Sequence, residues 1–254
     1  MAVVAIIPVR YASTRLPGKP LALIGGKPMI QHVYENTRKT PGLSRVIVAT
    51  DDARIVKTVG DFGGEVVLTS KKHTSGTDRL AEVARKLKAE WVVNVQGDLP
   101  FVRPQTILNS LRPLTRDRSI PMGTARTPIF HREEWLNPNV VKVVTDARGF
   151  ALYFSRAPIP HIRATAGVEP QTGNGKGQKV WCYRHVGVYV YRREFLLKFS
   201  RMRPTLLERT EGLEQLRALS NGYRIRVADV DEPSVEVDTP EDLERAEAYL
   251  RTQQ

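Results

Sequence analysis

The chain has 254 residues, 41% of them apolar, enough for a sizeable core and too many for a disordered chain. Its only cysteine is Cys182, which excludes an intrachain disulfide and any all-cysteine zinc or iron–sulfur cluster. Lys and Arg number 39 against 27 Asp and Glu, a formal balance of +12; such an excess suits anionic partners, from nucleic acid and acidic membranes to phosphorylated small molecules. The excess is partly local: between Tyr153 and Arg203 there are ten Lys or Arg and two acids, Glu169 and Glu194. No apolar run approaches the ~20 residues a membrane-spanning helix needs, and the start lacks a basic region ahead of its apolar run. The expectation is a cytoplasmic chain without membrane insertion.

Taken in order, Val3–Val9 is a near-continuous apolar run and reads as a buried strand. Met29–Lys39 has helical spacing at Ile30, Val33 and Tyr34. Arg45–Ala49 reads as a second buried strand. Ile55, Val56, Val59 and Phe62 mark a helix ending at Gly63-Gly64. Glu65–Leu68 is a third strand, Thr77–Ala89 a helix and Trp91–Val95 a fourth strand. This alternation implies right-handed crossovers and a parallel sheet.

The rhythm changes after Pro113. Segments 120–130, 140–145, 150–154 and 180–191 read as strands with few helices between them, which suggests antiparallel additions in a lobe or dimer arm. Gly167–Gln178 is rich in glycine and polar residues and reads as a mobile loop. Helices are expected at Leu206–Leu219 and Pro240–Arg251, flanking a strand at Tyr223–Val230. No internal repeat, low-complexity tract or interdomain linker stands out. The expectation is a single α/β domain over 1–254, with a β-rich lobe inserted at about 120–200.

Ligands of open parallel sheets sit beyond the carboxyl ends of the strands, so the segments following each strand carry the chemistry. After the first strand comes RYASTRLPGK. It contains neither the dinucleotide fingerprint nor the Walker loop, yet Arg10, Arg15 and Lys19 share one loop with small residues and a Pro-Gly turn. Fixed positive charge and exposed backbone N–H groups are what a polyphosphate needs. After the fourth strand comes NVQGDLP. A carboxylate there, Asp98, suits Mg²⁺, which takes one or two carboxylates plus phosphate oxygens; a turn aspartate is the alternative.

In VEVDTPED near the end, Thr239 can cap the last helix, Pro240 suits its first position and Asp242 completes a capping box. Asp238 is left without that job and is a second candidate carboxylate. The segment HTSGTDR (73–79) could hold a nucleoside or phosphate, or simply cap a helix through Ser75 or Thr77. In 185–191, His185, Gly187, Tyr189 and Tyr191 share one strand face by period two.

On these segments the chain resembles the 3-deoxy-manno-octulosonate (KDO) cytidylyltransferases almost end to end. The resemblance is carried by RYASTRLPGKPL (10–21), HTSGTDRLAEV (73–83), NVQGD (94–98), NPNVVKVV (137–144), ALYFSRAPIP (151–160), RHVGVYVYR (184–192), LEQLRAL (213–219) and VDTPEDLERA (237–246). It implies a mostly parallel, Rossmann-like nucleotidyltransferase sheet flanked by helices, with a smaller antiparallel lobe used for dimerisation and sugar binding. It implies that CTP and a 2-keto sugar acid give the CMP-sugar and pyrophosphate, for the inner core of lipopolysaccharide. Carried over by motif, Arg10, Lys19, Asp98 and Asp238 form the catalytic set, with Mg²⁺ on Asp98 and Asp238. CTP falls to Arg10, Ser13, Lys19, Ser75, Arg79 and Gln96. The sugar acid falls to Arg15, Gln96, His185, Tyr189, Glu214 and Gln215. A homodimer is implied, and no nucleic-acid partner. Sialic acid cytidylyltransferases share the basic first loop without Tyr11-Ala-Ser-Thr-Arg-Leu. Leu99 stands where the family usually has Glu, Val9 where it has Ala, and Lys72 where an acid is common.

Overall fold

In chain order the elements begin with β1 (Val3–Val9), a 3₁₀ turn (Lys19–Leu21), the short β2 (Leu23–Ile24) and β3 (Lys27–Pro28), α1 (Met29–Arg38), β4 (Leu43–Thr50), α2 (Ala53–Asp61) and β5 (Val66–Leu68). They continue with α3 (Gly76–Arg85), β6 (Trp91–Val95), α4 (Pro104–Arg116), β7 (Met122–Ile129), α5 (Arg132–Leu136), β8 (Lys142–Thr145), β9 (Ala151–Ser155) and β10 (Cys182–Arg192). The last are α6 (Arg193–Phe199), α7 (Leu206–Glu211), α8 (Leu216–Ser220), β11 (Ile225–Asp229) and α9 (Pro240–Arg251). The computed structural model describes residues 2–13, 15–162, 182–232 and 235–253. The expected loop at Gly167–Gln178 lies outside the described residues.

The chain divides into two units, the first comprising Met1–Leu108, Gly187–Ser200 and Glu232–Gln254. Here β1 is buried along its whole length and lies parallel to both β4 and β6. A strand covered on both faces needs no polar alternation, which is why Val3–Val9 is so uniformly apolar. β5 extends the parallel set beyond β4. The later half of β10 closes the other side, antiparallel to β6, with Val188 opposite Val95 and Arg192 opposite Trp91. All four parallel strands therefore send their carboxyl ends the same way.

The second unit comprises Asn109–Val186 and Arg201–Asp231. In it β7 and β11 pair in parallel, Ile225 with Met122 through Asp229 with Arg126. β8 is antiparallel to β9 and meets β10 antiparallel at Lys142–Arg184. The antiparallel expectation for this stretch thus holds for β8, β9 and β10; β7 lies beside β10 in the sheet and on its other side pairs in parallel with β11, a partner about a hundred residues further on and beyond the reach of local pattern.

One expectation about helices is also corrected, and α4 and α6 are additions to it. Leu206–Leu219 is two helices, because Gly212 adopts a left-handed conformation (φ 63°) and ends α7 there. α4, over which no helix was expected, runs through Pro113 to Arg116; a proline near the end of a helix costs one hydrogen bond, and buried Ile107, Leu111 and Leu114 hold the helix regardless. α6 arises from Phe195, Leu196 and Phe199, all buried, over a seven-residue stretch too short to show a period.

Candidate active site

The parallel strands of the first unit open at their carboxyl ends into a cleft of about 440 Å³. Its lining includes Arg10, Ser13, Arg15 and Lys19 from the loop after β1, and Gln96, Gly97 and Asp98 from the segment after β6. Gly76 and Arg79 of α3 and Asp238 before α9 complete the polar part of the wall. This is where an open α/β sheet binds its ligand.

Asp98 and Asp238 are far apart in sequence, and two local features bring them together. The Val237 amide donates to the Asp98 carbonyl at 3.1 Å, so the tail segment runs beside the end of β6. Beneath it, Val237, Met29, Ile24 and Ala246 form a fully buried cluster, with Leu16 of the basic loop packed against it. Burying a side chain of this size stabilises by roughly 1.5–3 kcal/mol, so loop and tail share one anchor. The expected capping box then forms: Thr239 Oγ1 accepts from the Asp242 amide, and the Asp242 carboxylate accepts from the Thr239 and Asp238 amides. The box that makes Thr239 and Asp242 structural also aims Asp238.

The cations follow the same logic. Lys19 Nζ donates to Asp98 Oδ2 at 3.1 Å and to Asp238 Oδ1 at 2.9 Å, and Arg15 Nη2 donates to Asp238 Oδ2 at 2.9 Å. Burial pushes the Lys19 pKa down, but the two carboxylates outweigh it and the net direction is up; Lys19 is a full cation at any working pH. Arg10 reaches over to the Thr74 carbonyl at 2.5 Å. The loop itself is propped by Tyr11, whose ring lies under the Arg54 guanidinium at 3.3 Å. Arg54 is in turn held by Asp52, whose carboxyl that pairing draws down to about 2. Gly97 lets the backbone close in: a Cβ there would come within 3.2 Å of Val9 and 3.3 Å of the Pro8 carbonyl.

Arg79 is fully buried. It pairs with Asp51 at 2.8 Å and donates to Thr69, and its Nε is buried with no partner among the described residues. A fixed, fully buried guanidinium behind the cleft wall puts positive charge there, which suits an anionic ligand.

A sequence profile of the cytidylyltransferase family matches residues 4–225. The 3-deoxy-manno-octulosonate cytidylyltransferase of Syntrophotalea carbinolica is 55% identical over 251 residues, covering 99% of each chain. The enzyme of the same name from Geobacter sulfurreducens is 53% identical over 99% of this chain and all of its own. The chain belongs to the 3-deoxy-manno-octulosonate cytidylyltransferase family. Among solved structures, a CMP:2-keto-3-deoxy-manno-octonic acid synthetase complexed with CTP matches over the full length of both chains, with a TM-score of 0.91 at 41% identity. A cytidylyltransferase from Leptospira borgpetersenii shares the fold alone, at 16% identity and a TM-score of 0.65.

For a member of this family, the cleft gathers Arg10, Ser13, Arg15, Lys19, Arg79, Gln96, Asp98 and Asp238. Ser75 is not in its lining; its hydroxyl accepts from the Asp78 amide at 3.1 Å and caps α3, and the neighbouring Gly76 lines the cleft instead. Nor does Tyr189 line it: its backbone pairs with Asn94 and its ring stacks on Tyr191 at 6.0 Å.

His185, Glu214 and Gln215 belong to the second unit. His185 meets Thr124 Oγ1 at 2.8 Å and takes the edge of Phe154 at 5.2 Å. Burial, with Arg184 nearby, holds its pKa down to about 3, so the imidazole is neutral. Gln215 is buried at the start of α8, and Glu214 pairs with Arg217 at 3.4 Å.

Three contributors escaped the sequence reading. Tyr11 and Arg54 prop the basic loop from different elements, a relation that no local pattern carries. Asp51, which anchors Arg79, follows the carboxyl end of β4 just as Asp98 follows β6, and the rule that singled out Asp98 could have found it.

Proposed function

We propose that this chain joins CTP and 3-deoxy-manno-octulosonate. The anomeric hydroxyl of the sugar acid attacks the α-phosphorus; a new P–O bond forms as the bond to pyrophosphate breaks, giving CMP-KDO, an activated sugar of the kind that lipopolysaccharide core assembly consumes. The observation that carries this reading is Lys19 Nζ shared between Asp98 and Asp238 at the mouth of the parallel strands, with Arg15 on the same aspartate.

Such a reaction asks the protein for positioning and charge neutralisation more than covalent chemistry. Two anions must meet, a triphosphate and a carboxylate. Arg10 and Lys19 offset the triphosphate and Arg15 the sugar-acid carboxylate, in a site whose groups are already in place. Lys19 is held by acceptors that a phosphate oxygen can replace without changing its protonation. Arg79 adds fixed positive charge behind the nucleotide, and Gln96 stands where both substrates can be reached. Ser13 stabilises the loop turn by accepting from the Leu16 amide at 3.3 Å.

The cofactor belongs to the same proposal. Two carboxylates that already share one cationic nitrogen are a donor set that fits a hard divalent ion completing its shell with phosphate oxygens and water. Asp98 and Asp238 would hold Mg²⁺; when bound there it polarises the α-phosphate and neutralises developing charge. Among the described residues no cluster of three or more His, Cys, Asp or Glu is gathered for a metal.

The sugar-acid roles of His185, Tyr189, Glu214 and Gln215 rest on the family resemblance. A homodimer and a cytoplasmic location are part of the same reading. For the former, Phe130, Leu136, Leu152, Leu206 and Leu207 are exposed large apolar side chains of the second unit, as a contact between copies would need. No helix of the described residues is long and apolar enough to cross a membrane.

The deciding experiment supplies the protein with CTP, Mg²⁺ and a panel of 2-keto sugar acids, including sialic acid and an amino-substituted octulosonate, and follows pyrophosphate. Release with 3-deoxy-manno-octulosonate at the highest kcat/KM is the expected result. Release with another member of the panel alone would reassign the substrate, and none with any would remove the activity.

A further inference from the structure

The second unit has a cavity of its own, of about 450 Å³, walled by the C-terminal half of α4, the ends of β7 and β11 and the turn between β8 and β9. Five arginines line it: Arg112, Arg116, Arg126, Arg148 and Arg226. The acids in its wall are Asp146 and Asp229, so the formal balance there is 5 − 2 = +3. No lysine is among them. Guanidinium offers a planar fork of donors that matches phosphate oxygens bidentately, where ammonium offers a single point of charge.

Three of the five are held in place by the fold. Arg126 donates to Asp229 at 2.7 Å and to Thr145 Oγ1 at 2.7 Å, and lies over the Tyr183 ring at 3.7 Å. Arg226 donates to the Arg148 carbonyl. It passes close against Gly149, where a Cβ would overlap its Nη1 and where the backbone is left-handed (φ 74°); the glycine clears the guanidinium's path. Arg148 stands 3.7 Å from Asp146. Asp146 spends one oxygen on the turn, accepting from the Arg148 and Phe150 amides.

The other two are different. Arg112 and Arg116 lie one turn apart on α4, and among the described residues neither guanidinium has a hydrogen bond or ion pair. The helix terminus accounts for a cation at Arg116, in the last turn; it does not account for Arg112, nor for both facing three further guanidiniums. Clustered like charges raise each other's cost, and a concave wall with two uncommitted guanidiniums is relieved by a multivalent anion. The wall has no aromatic side chain, so nothing there stacks a base. That argues for the phosphate part of a ligand, and against a single-stranded nucleic acid, which uses aromatic platforms.

We propose that this cavity is a second anion site that takes an oligophosphate, either free pyrophosphate or the triphosphate tail of a nucleotide, through Arg112 and Arg116 with Arg126 and Arg226 behind them. The site is built from the second unit alone and does not rest on the reading given to the cleft.

The test is equilibrium dialysis of the full chain with labelled pyrophosphate at fixed ionic strength, in wild type, Arg112→Ala/Arg116→Ala and Lys19→Ala. Both arginines are exposed and unpaired, so the double variant is expected to fold; circular dichroism and unchanged turnover with CTP check this. Expected is one bound equivalent fewer, or at least about a tenfold weaker affinity for it, in the double variant, with that equivalent retained in Lys19→Ala. Competition separates the two sources. Displacement by CTP, ATP and UTP alike identifies the triphosphate tail, and displacement only by pyrophosphate identifies the free anion; either supports the site. Equal pyrophosphate binding in wild type and in the charge-reversed Arg112→Glu/Arg116→Glu chain would overturn it. So would displacement by sulfate as effective as by pyrophosphate, or tighter binding of a short RNA than of any oligophosphate.

Discussion

Two lysines, one in each unit, are taken largely out of water by opposite means. Lys19 in the first unit is answered by two carboxylates and its pKa rises. Lys142 in the second is fully buried and is answered by three backbone carbonyls, those of Asn137, Val140 and Arg156, at 2.9, 2.6 and 2.7 Å. Burial, and then Arg156, hold its pKa below the ordinary lysine value. Opposite charges hold a cation that can be handed on, since a phosphate oxygen is an equal substitute for a carboxylate. Peptide dipoles at fixed places in the chain hold a cation that stays. The first arrangement belongs to a site, the second to a scaffold.

The comparison breaks most sharply at Asp98. Asp98→Ala is expected to abolish turnover while circular dichroism and the melting transition stay near wild type; retained activity in Mg²⁺ would remove the metal assignment. Lys19→Ala is next, with kcat/KM for CTP lower by about 10²-fold or more, the usual effect of losing an electrostatic stabiliser. A wild-type rate would reduce Lys19 to a surface ion pair.

Lys142→Met sharpens the other half. It leaves three carbonyls without their donor, each loss of that kind being worth about 1–3 kcal/mol, so urea unfolding should show a destabilisation of several kcal/mol. KM for both substrates should hold at temperatures where the variant is folded. A KM change with no change in stability would mean that Lys142 touches substrate.

The smallest effect concerns His185, whose folded pKa of about 3 lies below the ordinary value near 6.5. Below about pH 6.5 the unfolded chain takes up a proton that the folded chain refuses. The stability contributed by the neutral imidazole is therefore full above that pH and falls toward pH 3, by about 1.4 kcal/mol per pH unit. Unfolding measured from pH 7 to 4.5 should lose that one-proton slope in His185→Gln. If His185→Gln instead keeps the slope and raises KM for the sugar acid, the imidazole is a binding group and not a core one.

How far the sequence could be read follows from where each signal lives. β1, β6 and α9 match the expected bounds because their signals are local: an unbroken apolar run, a second such run, and a capping box. The cleft was legible for a related reason, since topology puts whatever follows a parallel strand at one mouth, and Lys19 and Asp98 each follow one. The parallel pairing of β7 with β11 was not legible, because it depends on partners about a hundred residues apart. α4 was not legible either: Pro113 works against a helix locally, and the packing of Ile107, Leu111 and Leu114 overrides it. His185 sits on the strand face that the period assigned to it, yet period alone does not name the side chains that meet that face; the contacts with Phe154 and Thr124 come from other strands.

The bond from the Val237 amide to the Asp98 carbonyl joins the end of β6 to a segment that is among the last to be translated. β1, β6 and the cationic loop all leave the ribosome well before residue 238 is translated. Until then a nascent chain has cations and one acid but not the pair. On the proposed role of Asp238, a chain cut short of the last helix is expected to be inert however well its sheet has formed, so that a premature stop there gives a silent protein instead of a half-active one.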